Sequence, residues 1–127
     1  MPSEPKAGAV IYALDLGRMS EFYKNVAGLR MTHAGEENAI LKSNTFQLTI
    51  VKIPPDIAAT NEIKSPPIRR EDTPIKLVFP VASIQETRNM AAQYGGELDS
   101  VEHEWEFQGQ KVCDGYDPEG NVLQVRE

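Results

Sequence analysis

The chain reads the same way twice. Residues 11–29 run strand, turn, helix and glycine stop, and residues 77–96 repeat that order. A single offset of 68 residues pairs Ala13 with Val81, Leu16 with Ile84, Phe22 with Met90 and Gly28 with Gly96. A constant offset through strand, turn and helix end marks an internal repeat. At 127 residues the chain makes one domain, or two half-domains that share a core.

Each half can be read locally. Ala9, Ile11 and Ala13 fall on one side of a strand over 8–14, and Val10 and Tyr12 on the other. Asp15 is placed to cap a helix, since its carboxylate can accept from free backbone N–H groups. Met19, Phe22, Tyr23 and Val26 then make one apolar helical stripe, which Gly28 ends. Strands follow over 29–34, 38–43 and 46–52, with Glu36-Glu-Asn as a turn. The second half opens with a strand over 75–81 and a capping box, Ser83-Ile-Gln-Glu86. Its helix carries Ile84, Thr87, Met90, Ala91 and Tyr94 on one face and stops at Gly95-Gly96. Strands over 97–107, 110–114 and 121–126 complete it, with turns at Gln108-Gly109 and Pro118–Asn121. Residues 1–7 read as a loose arm. Pro54, Pro55, Pro66 and Pro67 mark a linker between the halves. The expected class is α+β: one domain of two β-α-β-β-β modules, 8–54 and 74–126, joined by a linker over 55–73.

The totals exclude several functions. A formal charge of −6 argues against a general nucleic-acid binder, which needs clustered Lys and Arg. Arg69-Arg70, the densest basic spot, is followed at once by Glu71 and Asp72. The single cysteine, Cys113, has no internal partner and points to a reducing compartment. It reads as a small buried hydrophobe, with no base nearby to activate it. The N-terminal stretch lacks the apolar run of a secretory signal, and no run is long enough to span a bilayer. The expectation is a cytoplasmic protein with no nucleic-acid or membrane partner.

Asp15-Leu16, Phe22-Tyr23 and Gly28-Leu29 in the first half, with Asp117-Pro-Glu-Gly-Asn-Val-Leu123 before the last strand, resemble the vicinal oxygen chelate superfamily. That superfamily includes glyoxalase I, extradiol dioxygenases and bleomycin-resistance proteins. The resemblance covers residues 8–126. Met19 departs from it, standing where a small polar residue is common. It implies two modules whose curved mixed sheets enclose a shared cleft, with one sheet face on the helices and the other lining the cavity. The sequence supports that division independently. Phe46, Leu48 and Ile50 alternate with Gln47, Thr49 and Val51; Ile75, Leu77, Phe79 and Val81 alternate with Lys76, Val78 and Pro80; Leu123 and Val125 alternate with Val122, Gln124 and Arg126. The mixed face is the expected cleft.

Metal-using members of the superfamily place one ligand, usually His or Glu, on each of four cleft strands. Carried over by motif register, those positions fall at Gly8, Gln47, Lys76 and Gln124. Two amides, a cation and a glycine do not make a divalent metal site, because zinc and its neighbours take imidazole, thiolate or carboxylate. The expectation is therefore no metal and no cofactor. Gln47 and Gln124 read equally well as solvated polar residues, and Lys76 as a lysine snorkelling to water. Their convergence on one face instead suits an oriented ligand, with Lys76 favouring a carboxylate, phosphate or enolate oxygen. Tyr12 has cleft-facing parity. In Glu102-His-Glu-Trp-Glu-Phe107, His103, Trp105 and Phe107 share one face of a strand and the three glutamates the other. Simple alternation explains that pattern; the sharper reading has Trp105 and His103 wall the cleft and stack on a flat ligand.

The candidate ligand-binding residues are thus Tyr12, Gln47, Lys76, Trp105 and Gln124. The leading reading is a glyoxalase/bleomycin-resistance-like protein that binds a small, anionic or planar organic molecule, either holding it or acting on it without metal. A second reading is a metal-dependent lyase, isomerase or dioxygenase with displaced ligands, drawing on His33, His103 or glutamates near them. A third is a non-catalytic interaction module, disfavoured by the polar residues on the cleft face. Two open sheets in a short chain point to a symmetric homodimer.

Overall fold

The computed structural model describes residues 6–54 and 67–127. The first module is β1 (Ala7–Ala13), α1 (Leu16–Val26), β2 (Arg30–Ala34), β3 (Asn38–Lys42) and β4 (Phe46–Lys52). The second is β5 (Leu77–Pro80), α2 (Ile84–Gln93), β6 (Glu97–Leu98), β7 (Trp105–Phe107), β8 (Gln110–Tyr116) and β9 (Val122–Arg126). The first sheet runs β1-β4-β3-β2, and the second runs β5-β9-β8-β6 with β7 also on β8. In each, the opening strand lies parallel to the last, β1 on β4 and β5 on β9, and the other pairs are antiparallel. The repeat seen in sequence is therefore a repeat of topology in an α+β fold. Most of the linker, 55–66, and the start of the arm, 1–5, lie outside the described residues.

Among the described residues, α1 and α2 both start where side-chain chemistry predicts. Asp15 Oδ1 accepts from the Arg18 amide at 3.1 Å, and Ser83 Oγ accepts from the Glu86 amide at 3.2 Å. Gly28 follows α1 with φ 68°, a left-handed conformation that glycine adopts at least cost. Met19, Phe22, Tyr23 and Val26 are all buried, so the helical stripe is the core stripe, and Met19 packs there without exposure. Strand parity sorts the sheets in the same way: Leu48 and Ile50, then Phe79, Leu123 and Val125, are buried toward the helices. Tyr23 meets Phe79 at 5.8 Å between ring centroids and Phe46 meets Phe79 at 5.9 Å, which joins the halves into one core.

A polar tie reinforces that core. The closing turn of the second module starts at Asp117, whose side chain is fully buried. Its Oδ1 accepts from the amides of Glu119 at 2.9 Å and Asn121 at 3.0 Å, and its Oδ2 accepts from the Tyr23 hydroxyl at 2.7 Å. The Glu119 carboxylate reaches the first module and accepts from the amides of Leu14 at 2.9 Å and Asp15 at 2.8 Å. Burial pushes the carboxyls of both Asp117 and Glu119 above their ordinary range.

The structure corrects three local expectations. The strand expected over 97–107 is broken into β6 and β7, with a single 3-10 turn, Val101–His103, between them. Arg88 of α2 explains the break. Its Nε donates to the Asp99 carbonyl at 2.8 Å and its Nη2 to the Glu104 carboxylate, which draws the segment off the sheet toward the helix. Consequently Glu104 is half-buried rather than part of an acidic solvent face, and His103 does not share a sheet face with Trp105. Third, β5 begins at Leu77, and Ile75 is 73 % exposed rather than in the core.

Candidate functional site

Alternate side chains point to the face opposite the helices, where in the second sheet Val112 and Gln124 are buried and Val78, Trp105 and Phe107 are exposed. In the second sheet, register places Val78 beside Gln124 and Gln124 beside Asp114. Lys76, two residues before Val78, reaches the same face from the stretch entering β5. Its Nζ meets Asp114 Oδ2 at 2.7 Å, Gln124 Nε2 donates to Asp114 Oδ1 at 3.1 Å, and Arg126 Nε donates to Gln124 Oε1 at 2.9 Å. A continuous polar row, Lys76–Asp114–Gln124–Arg126, thus runs from the stretch before β5 across β8 and β9. It carries two cations and one carboxylate. Aromatic residues border it. Trp105 pairs with Val112, and Val112 pairs with Arg126. The Arg126 guanidinium lies over the Phe107 ring at 5.0 Å, a cation–π distance. Trp105 and Phe107 are 41 % and 49 % exposed, unusual for large apolar side chains, while Val112 beneath them is fully buried.

The first sheet is plainer. Val10 and Tyr12 are exposed on the edge strand β1. Gln47 is half-buried, with Nε2 at 3.5 Å from Thr49 Oγ1 on its own strand. The five sequence candidates therefore separate into two groups. Lys76 and Gln124 share Asp114, and Trp105 stands on the same sheet; Tyr12 and Gln47 belong to the other sheet. Among the described residues, no strand of one sheet pairs with a strand of the other.

Gly8, Gln47, Lys76 and Gln124, the positions that the resemblance implies for metal ligands, do not suit a divalent cation. Gly8 pairs with Gln47, and a Cβ at Gly8 would stand 2.3 Å from the Gln47 carbonyl oxygen, so this backbone has no room for a ligand side chain there. Gln47 and Gln124 offer neutral amides, and Lys76 an ammonium. Asp114 is the carboxylate of the group, and it is already bound by Lys76. His33 and His103 are exposed, on β2 and on the 3-10 turn. Among the described residues, no three of His, Cys, Asp and Glu come together as metal ligands do.

Other features lie apart from this face. Hollows of about 520, 570 and 600 Å³ sit beside the start of α1, along α2 with Asn25 of α1 on its rim, and along 68–74, and none includes a sequence candidate. The Cys113 thiol is buried, and burial pushes its pKa up, so it remains a thiol. Sequence reading missed Asp114, which sits between Lys76 and Gln124. The available signal was the closing turn: with Asp117 and Asn121 paired, counting back along the hairpin sets Asp114 opposite Gln124.

No family model matches this sequence, and no curated protein matches it either. Solved structures do. A glyoxalase/bleomycin resistance protein/dioxygenase family enzyme from Burkholderia phytofirmans PsJN superposes with a TM-score of 0.68 at 18 % identity, over 94 % of this chain and 95 % of that one. Fosfomycin resistance protein FosX from Listeria monocytogenes gives 0.66 at 14 % identity, over 99 % and 91 %. Lactoylglutathione lyase from Agrobacterium tumefaciens gives 0.58 at 21 % identity, over 100 % and 96 %. Identities this low speak for architecture alone: the chain has the fold of the vicinal oxygen chelate superfamily.

Proposed function

We propose that this protein binds a small, planar or anionic organic molecule on the open face of its second sheet, and does so without a metal ion. The observation that carries this reading is the polar row Lys76–Asp114–Gln124–Arg126, bordered by exposed Trp105 and Phe107. Preset hydrogen-bonding groups beside exposed aromatic rings are what an oriented small-molecule site requires. Neighbours named for fosfomycin resistance and as a lactoylglutathione lyase suit a small-molecule role. The metal-free part rests on donor chemistry: amides and an ammonium cannot replace imidazole and carboxylate. In this reading Tyr12 and Gln47 close the ligand in from the first sheet, either of the same chain or of a second copy.

The test is metal content. Protein purified without chelator or metal-affinity resin should retain no stoichiometric metal after desalting, including after incubation with nickel, zinc, manganese or ferrous iron. Retention of about one ion per chain would overturn the metal-free reading and favour a metal-dependent lyase, isomerase or dioxygenase, with His33 and His103 the first residues to replace.

A further inference from the structure

The two cations of the polar row are not equivalent. Lys76 is held by Asp114 at 2.7 Å, so its charge is locally cancelled. Among the described residues, Arg126 spends only Nε, on the neutral Gln124 oxygen at 2.9 Å. Among the described residues, no carboxylate pairs with its Nη1 or Nη2. Phe107 at 5.0 Å covers one side of the guanidinium plane, and Gln124 fixes its Nε edge. A guanidinium held in this way keeps its two Nη donors as a fork, the geometry that takes both oxygens of one carboxylate. Trp105 stands in the same cross-strand row as Arg126, over buried Val112. Its exposed indole supplies a flat surface on the same face as the fork, with Val112 of β8 between the two strands.

Resting on the proposed ligand-binding face, we infer that Arg126, not Lys76, is its anion-recognising residue, and that the ligand class is a planar aromatic or heteroaromatic monocarboxylate. The carboxylate is taken by the Nη pair of Arg126 and the ring lies against Trp105. The row's balance of two cations and one carboxylate suits one negative charge on the ligand and disfavours a dianion. Lys76 and Asp114 hold Gln124, and through it Arg126, in place.

The chain's single tryptophan makes the test direct. Benzoate, benzamide and cyclohexanecarboxylate are titrated against full-length protein, reading Trp105 fluorescence and, in parallel, heat of binding. Benzoate should quench Trp105 saturably, with benzamide and cyclohexanecarboxylate each about tenfold weaker, the scale of a lost charge-assisted pair or a lost stacking contact. Arg126→Gln should make benzoate and benzamide equal. Arg126→Lys, which keeps the charge but not the fork, should lose most of the preference, and it carries the test if the glutamine variant does not fold. Lys111→Gln removes a cation one residue from Val112, hence on the opposite face of β8, and should leave the preference intact. A benzoate preference that survives both Arg126 variants, or no preference over benzamide in the wild type, overturns the assignment while leaving small-molecule binding on this face standing. If no probe binds by either readout, the binding face itself is wrong, and the assignment falls with it.

Discussion

Tyr23 shows how much of this molecule depends on one atom. Its hydroxyl donates to Asp117 Oδ2 at 2.7 Å inside the shared core. Burial, and then the charge of Asp117, hold the phenol well above its ordinary value of 10.0. An unfolded tyrosine ionises near that value, so above it the unfolded chain gives up a proton that the folded chain keeps. Stability therefore falls as pH rises beyond about 10. Tyr23→Phe should cost about 1–3 kcal/mol at pH 8, because buried Asp117 loses a donor, yet show a shallower alkaline decline. Urea denaturation at pH 8 and at pH 10.5 measures both; equal slopes in the two proteins would mean that Tyr23 is not the titrating group. Asp117 and Glu119 act with the same sign in a lower window. Burial raises both above 3.8 and 4.5, so between those values and the raised ones their contribution declines with rising pH. At this scale the sequence was partly readable. Asp15 and Ser83 declare themselves as caps because their oxygens act within their own turns, whereas the Tyr23–Asp117 bond joins residues 94 positions apart and has no local pattern.

At the scale of elements, periodicity carried most of the fold. The α1 stripe and the alternation in β4, β5 and β9 assign the core faces because side-chain direction follows directly from backbone geometry. In α2, by contrast, only Ile84, Thr87 and Ala91 of the expected face are buried, and Met90 is exposed. It failed over 97–107, where His103, Trp105 and Phe107 alternate with glutamates as a strand would. The deciding interaction comes from Arg88 on another element, and no period within 97–107 encodes it. The polar row was half legible for a related reason. Lys76 and Gln124 follow from strand parity, while Asp114 requires the hairpin register. The joint between modules is also an element-scale device. Glu119→Ala should leave the Leu14 and Asp15 amides without their carboxylate and cost about 2 kcal/mol; Glu119→Gln, keeping one acceptor oxygen, should cost about half as much. Chemical denaturation decides, and a change under about 0.5 kcal/mol would show that water replaces the carboxylate without penalty.

At the scale of the whole molecule, each sheet has an open edge, β1 in the first and β5 in the second. Val10 and Tyr12 are 58 % and 63 % exposed on or beside one edge, and Ile75 and Val78 are 73 % and 44 % exposed at the other. We propose that a second copy covers them. Sedimentation at micromolar concentration should give twice 14.1 kDa, and Tyr12→Glu should shift it to the single-chain mass. A wild-type monomer under those conditions would count against the idea. Among the described residues, no helix is long and apolar enough to cross a membrane. The tie between Glu119 and Leu14 has one more consequence, in the order of events during synthesis. The two residues are 105 positions apart. At about 5–20 residues per second, the ribosome adds Glu119 roughly 5–20 s after Leu14. Throughout that interval the corner between β1 and α1 lacks its acceptor, although Phe79 has by then been added, 33 residues after Phe46. The first module is thus made early and completed late, and its fully tied form becomes available only when the turn between β8 and β9 has emerged.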